Sequence, residues 1–218
     1  MSVAGHPALP DEAKPWLHDV ARWLAQWIYR PVYRMRIHGR ERIPSVGPVV
    51  LVANHSSFAE PQLIFGMLRR RSVFLVKSEV TRGVLGVLLR WLGQLSIRRG
   101  TPDRGPLMAA VQFLRAGGLV GVFPEGSRGS GDMLRAEQGA AWLVRSSDAV
   151  VLPVAVRGTD RPRGSGRRFR PVVDLLIGEP FTVSVARGRT GLATATEQIR
   201  VRLAGLVCEL DEQRGQDD

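Results

Sequence analysis

A histidine and a carboxylate five residues apart, His55 and Glu60, stand in the stretch Asn54-His55-Ser56-Ser57-Phe58-Ala59-Glu60-Pro61. A carboxylate that holds one imidazole nitrogen sets the tautomer and leaves the other nitrogen free as a general base. On a regular helix, residues five apart point about 140° away from each other, so this pair has to meet in a turn. The local sequence offers one. Val49 to Ala53 reads as a buried strand, and polar residues take over at Asn54. Pro61 suits the first turn of a helix, where its missing N–H is no loss. His55 and Glu60 then fall in a strand-to-helix connection, where α/β folds place their chemistry. Ser57-x-x-Glu60 also has the form of a capping box, which would make Glu60 a helix-start residue. The proline after Glu60 disfavours helical backbone there, which places the helix start at Pro61 with Glu60 outside it.

Basic groups are the second chemical signal. The 218 residues carry 31 basic and 20 acidic side chains, a net charge of +11. Five of the acids fall in residues 209–218, and all basic residues other than Lys14 and Lys77 are arginines. Arginine binds phosphate with a planar, bidentate fork. The excess points to anionic lipid, a phosphorylated substrate or nucleic acid, without choosing among them. Three of the five tryptophans sit at helical spacing rather than on a base-stacking surface, which argues against nucleic acid as a partner.

Other chemistries lack their residues. No Gly-x-Ser-x-Gly elbow, Walker loop or Gly-x-Gly-x-x-Gly fingerprint is present. One cysteine and histidines at 6, 18, 38 and 55 argue against a zinc site. Cys208 lies on the weaker apolar side of a C-terminal helix, with Val201 and Ala204, and is expected to be a partly buried thiol. No apolar run approaches the roughly 20 residues that span a bilayer, and the start of the chain has no signal-peptide core. A cytoplasmic protein is expected.

The elements that would carry the site alternate. Residues 1–12 read as a loose leader. From Pro15, residues Trp16, Val20, Trp23, Leu24, Trp27 and Ile28 line one face of a helix, with Asp19, Arg22, Gln26 and Arg30 opposite. That face fits a membrane boundary and a protein core equally well. Strands follow at 33–38, 49–53, 73–76, 94–97, 119–123, 150–156 (interrupted by Pro153) and 172–177. Helices are expected at 62–70, 84–92, 107–114, 134–146 and 194–210. The apolar helix 84–92, bordered by Arg82 and Arg90, again fits either core or bilayer. Such alternation predicts a single α/β domain with a mixed, partly parallel central sheet flanked by helices. The organisation reads as leader and amphipathic helix over 1–32, catalytic domain over 33–213 and an acidic tail over 214–218.

Several blocks together resemble the glycerolipid acyltransferases of the 1-acylglycerol-3-phosphate (lysophosphatidate) type. Asn54-His55-x-Ser57-x-x-Glu60 looks like that family's His-x-x-x-x-Asp motif, and Phe123-Pro124-Glu125-Gly126-Ser127-Arg128 its Phe-Pro-Glu-Gly-Thr-Arg block. Gly93 to Arg99 is similar to its Gly-x-x-x-x-Asp-Arg segment, and Val151-Leu152-Pro153-Val154 to its Val-x-Pro-Val block. Gln138 to Ala141 and Ile177 to Pro180 fall where the family has similar stretches. The blocks keep family order over roughly residues 35–180. Three positions depart: Glu60 stands for aspartate, Arg98 for aspartate and Ser127 for threonine.

The resemblance implies acyl transfer without a covalent enzyme intermediate. His55, oriented by Glu60, would take the proton of a lysophospholipid hydroxyl that attacks an acyl thioester, from acyl-CoA or acyl-carrier protein. Lys77, Arg99 and Arg128 would hold the acceptor phosphate. Glu125, Gly126 and Ser127 would line the substrate site, with backbone amides near Glu125 and Gly126 positioning substrate and Glu125 fixing Arg128. No metal and no cofactor beyond the donor is expected. The resemblance also implies phospholipid biosynthesis on an anionic membrane surface, with the enzyme peripheral on the inner face.

Overall fold

The computed structural model describes residues 7–81, 83–98, 104–126, 130–160 and 169–217. Residues 1–6 of the expected leader lie outside them. Helices α1 (Pro15–Ile28), α2 (Glu60–Met67), α3 (Gly83–Trp91), α4 (Arg104–Arg115), α5 (Gly139–Ser147) and α6 (Gly188–Asp217) alternate with seven strands among the described residues. The strands are β1 (Arg34–His38), β2 (Val49–Ala53), β3 (Ser72–Lys77), β4 (Leu95–Ile97), β5 (Leu119–Val122), β6 (Val150–Arg157) and β7 (Val172–Ile177). They form one sheet in the order β1-β7-β6-β2-β5-β3-β4, with β6 and β7 antiparallel and every other pair parallel. The expected mixed sheet is present and mostly parallel.

β2 is central, and its five residues are fully buried, as a parallel strand covered on both faces requires. Val49, Leu51 and Ala53 pack with Leu63, Ile64 and Phe65 of α2, while Val50 and Val52 join the opposite layer of α4, α5 and α6. Pro153 does not interrupt β6. Val151, two residues earlier, exchanges backbone bonds with Phe181, and Gly178 N donates to the Pro153 carbonyl at 2.9 Å. Pairing with β2 and β7 continues past the proline, so the strand accommodates it.

Five strands, β6, β2, β5, β3 and β4, therefore run in one direction and end on one edge. Ligands of open α/β sheets bind beyond such carboxyl ends. That edge presents Arg157 to Thr159, then Asn54 and His55, then Phe123 to Glu125, then Lys77, then Arg98.

Several sequence expectations shift. α2 begins at Glu60 rather than Pro61, with Ala59 already in helical backbone and no side-chain cap. Ser57 Oγ instead accepts the Ala59 N–H at 3.3 Å, so the capping-box reading does not hold. Residues 134–138 lie outside any helix; Glu137 N bonds the Pro124 carbonyl and α5 starts only at Gly139. α4 starts earlier than expected, at Arg104. α6 continues to Asp217, so residues 214–217 prolong a helix rather than form a tail. Cys208 is exposed, not partly buried.

The apolar face of α1 is not part of the core. Trp16, Val20, Trp23, Leu24, Trp27 and Ile28 point to solvent, with Trp16 at 65% exposure. The helix packs by its other side. Ala25 backs directly onto Gly66 of α2, where a Cβ would come within 3.0 Å. Arg22 donates to the Leu68 carbonyl, and Asp19 pairs with Arg71 at 2.9 Å. His18 is fully buried against Phe65 and bonds the Leu92 carbonyl at the end of α3. α3 likewise exposes Val84, Leu85, Leu88 and Trp91.

Candidate active site

β2 is followed by Asn54, a buried amide that continues the ladder with its side chain. Nδ2 donates to the Val156 carbonyl at 3.0 Å and Oδ1 accepts the Val156 N–H at 2.8 Å. This two-point bridge ties the chain just before His55 to β6. His55 then turns across the sheet edge. Its backbone N–H donates to Glu125 Oε1 at 2.8 Å, and its ring lies against Phe123 with centroids 4.4 Å apart. Phe123 stacks in turn on Phe74 of β3. Backbone and ring are both held by residues at the end of β5.

His55 Nδ1 meets Glu60 Oε2 at 2.9 Å, the approach the turn was expected to allow. Glu60 is fully buried at the first position of α2. Its Oε2 also accepts the Ser56 N–H at 2.9 Å, and Oε1 accepts the hydroxyls of Ser56 at 2.6 Å and Thr159 at 2.7 Å. Burial alone would push this carboxyl up, but the bonds from His55, Ser56, Thr159 and the Ser57 backbone hold it below its ordinary value. A carboxyl lowered on folding stabilises the fold fully above its ordinary value and loses that contribution as pH falls through the folded-state titration. Among the described residues none bonds the Nε2 edge of the imidazole, whose side chain keeps 18% exposure. A base with a fixed tautomer and one open nitrogen is the result.

Other expected site residues distribute as follows. Lys77 ends β3, two strands from β2, and is half-buried. At a strand spacing of about 4.8 Å it stands about 10 Å along the edge from His55. Arg98 is exposed at the end of β4, the next strand. Glu125 contacts the His55 backbone, a partner the sequence did not suggest for it; burial raises its carboxyl above the usual range, and the His55 bond opposes that. The Gly126 N–H is spent inside its own turn, on the Phe123 carbonyl at 3.0 Å. Arg99, Ser127 and Arg128 lie outside the described residues.

The chain beyond that loop is clamped beside Asn54 and Ser56. Arg157 donates to the carbonyls of Ser130 and Gly131 and to Asp132, and binds both oxygens of Asp211 on α6. Arg200 takes the Met133 carbonyl. Gly131, at φ 73°, passes so close that a Cβ would come 2.8 Å from Asn54 Nδ2. Neither Thr159 nor Arg157 was identified from the sequence. Their only local signal is a position at or just after the end of a buried strand.

No group of three or more potential ligands able to hold a metal occurs among the described residues. A cavity of about 410 Å³ between β1, β7 and α6 contains none of the expected site residues. Its acids Asp174 and Glu209 are already bonded to Arg36, Arg214 and Gln213.

Comparison with known proteins agrees with this geometry. The Acyltransferase family model matches residues 34–157, the segment from β1 through β6 that builds the edge. A 1-acyl-sn-glycerol-3-phosphate acyltransferase of Bacillus subtilis is 24% identical over 183 residues, covering 82% of this chain and 90% of the relative. A chloroplastic 1-acyl-sn-glycerol-3-phosphate acyltransferase of Arabidopsis thaliana is 26% identical over 181 residues, 76% of this chain; the chain spans about half, 49%, of that longer relative. In fold, the chain is similar to the crystal structure of the 1-acyl-sn-glycerophosphate acyltransferase of Thermotoga maritima, with a TM-score of 0.67 over 90% of this chain and 78% of that one, at 24% identity. With its His–Glu dyad at the carboxyl edge of the matched segment, this chain belongs to the acyltransferase family and is an enzyme.

Proposed function

We propose that the enzyme transfers an acyl group from acyl-CoA or acyl-carrier protein to the free hydroxyl of lysophosphatidate, giving phosphatidate for phospholipid biosynthesis. The observation that carries this reading is the bond from His55 Nδ1 to Glu60 at 2.9 Å, with the other imidazole nitrogen open on an edge that also ends in Lys77. The acceptor oxygen attacks the thioester carbonyl as its proton passes to His55 Nε2. The C–S bond then breaks, an ester forms, and the departing thiolate takes the proton back from the imidazolium. Glu60 stays ionised and balances the imidazolium charge. No cofactor is needed, because the dyad supplies the base and the donor carbonyl is the electrophile. Lys77, with Arg99 and Arg128, would hold the acceptor phosphate, and that contact distinguishes lysophosphatidate from neutral acceptors. Relatives that bear the name 1-acyl-sn-glycerol-3-phosphate acyltransferase support the same acceptor. Incubation of the purified protein with donors and lyso-lipid acceptors, read by mass spectrometry, tests this directly. Phosphatidate formed in preference to other products is expected; no phosphatidate with any donor would sink the reading.

The same proposal places the enzyme peripherally on the inner face of an anionic membrane, where its water-soluble donors reach it. Two observations support this. No described helix is long and apolar enough to cross a membrane, while α1 and α3 expose neighbouring apolar faces. They are joined by Lys14 N to the Trp91 carbonyl at 2.8 Å and by the Lys14 ammonium 3.8 Å over the Trp91 ring. α1 rests on α2, whose first residue is Glu60, so a surface held by α1 delivers lipid one helix away from the dyad. Each buried apolar side chain stabilises docking by about 1.5–3 kcal/mol at most, and each arginine near an anionic headgroup by about 1 kcal/mol. Vesicle binding should therefore strengthen with anionic lipid and persist in part at high salt, since only the charge contribution is screened. Trp23→Ser with Trp27→Ser should remove the salt-resistant part without unfolding the protein, because both rings face solvent. Binding that vanishes in moderate salt, or unfolding of that variant, would refute the anchor.

A further inference from the structure

Thr159 lies 99 residues from Glu60 in sequence, yet its hydroxyl donates to Glu60 Oε1 at 2.7 Å and is itself buried. The backbone is built to bring it there. β6 ends at Arg157, and Gly158 follows at φ 86°, where a Cβ would collide with the Val172 carbonyl. Only glycine fits that turn, and the next side chain is sent inward under α2. Ser56 Oγ reaches the same oxygen from the opposite side of the sequence, at 2.6 Å. Glu60 thus sits between two hydroxyls on one oxygen and the His55 Nδ1–H and Ser56 N–H on the other. This cradle bears on the departure from aspartate. A glutamate arm has one more rotatable bond to fix, and a carboxylate free to swing would not hold the imidazole.

We propose that Thr159 is a positioning residue for the acyl-transfer dyad: its hydroxyl, with that of Ser56, clamps the far oxygen of Glu60 so that the longer glutamate arm orients His55. This rests on the acyl-transfer reading above. The clamp acts on Glu60 and touches neither donor nor acceptor. It also keeps the carboxyl ionised, in opposition to burial and to Glu125, the neighbouring acid that faces the dyad across the His55 backbone.

Two substitutions test it: Thr159→Val, which keeps the shape and removes the hydroxyl, and Thr159→Ser, which keeps the hydroxyl. Each is made alone and in combination with Glu60→Asp. Thr159→Val should lower kcat by up to roughly 10- to 150-fold, the loss of one hydrogen bond to a charged group, with KM for donor and acceptor little changed. The acid limb of the pH–rate profile should move to higher pH, because a Glu60 with one donor fewer takes up a proton sooner as pH falls. Thr159→Ser should restore both. In the Glu60→Asp background the shorter arm is out of reach of the clamp, so Thr159→Val should change kcat by less than about twofold there. A carboxyl-carbon NMR titration of Glu60 gives the same comparison with no substrate present. A shift to higher pH in Thr159→Val but not in Thr159→Ser supports the clamp even if lysophosphatidate proves to be the wrong acceptor. An unmoved Glu60 titration in folded Thr159→Val overturns it, as does an equal loss of activity from Thr159→Val with and without Glu60→Asp.

Discussion

Replacing His55 with alanine should reduce acyl transfer by about 10²–10⁴-fold, the usual range for a positioned general base, while leaving the fold intact. The expectation of an intact fold has a structural basis. The ring keeps 18% exposure, and its loss removes one bond to Glu60 and the contact with Phe123, neither of which holds the sheet together. The local backbone remains fixed by the Asn54 bridge to Val156 and the His55 N–H to Glu125, which do not use the imidazole. Glu60→Gln tests the other half of the dyad. An amide at that place presents an N–H₂ among groups that already donate, namely His55, Ser56 and Thr159, so turnover should fall there too. Single-turnover assays with circular dichroism on the same samples separate chemistry from folding. A folded His55→Ala protein with full activity would remove the base from the mechanism.

Loss of the acceptor phosphate's cationic partners should act on binding rather than on the chemical step. Lys77→Ala and Arg128→Ala should each raise KM for lysophosphatidate about 10- to 150-fold, the equivalent of roughly 1.5–3 kcal/mol for a hydrogen bond to a charged group. KM for a neutral lyso-lipid should change little. Lys77 is well placed for this: it ends β3, which runs parallel to β5 and leads to the same edge as His55. Its side chain is long enough to bridge most of the about 10 Å between strand ends two apart. Initial rates over a series of phosphorylated and neutral acceptors measure the split. Equal losses on both kinds of acceptor would assign Lys77 and Arg128 to structure.

Specific residues show how far the sequence reaches. The continuous apolar runs of β2, β5 and β6 mark them as strands, because a strand buried on both faces needs no polar alternation. The five-residue spacing of His55 and Glu60 implies a turn, and the turn brings them together at 2.9 Å. The ordered blocks point to the family. These are local matters, decided within a few residues along the chain.

Tertiary structure decided what depends on distant neighbours. Thr159 and Asn54 reach their partners only because β6 lies beside β2, a pairing between residues about 100 apart that no local periodicity encodes. Glu125 gives an oxygen to the His55 N–H because β5 lies beside β2, a contact that no local pattern announces. α1 is the clearest case. Its apolar periodicity shows that one face avoids water but not what covers that face. Only the packing of Ala25 against Gly66, with His18 buried beneath, shows that the helix adheres by its small and polar side and leaves three tryptophans outward. An amphipathic pattern records hydrophobicity, which is a property of the helix alone, whereas the partner is chosen by shape, by hydrogen bonds such as His18 to the Leu92 carbonyl, and by the rest of the fold.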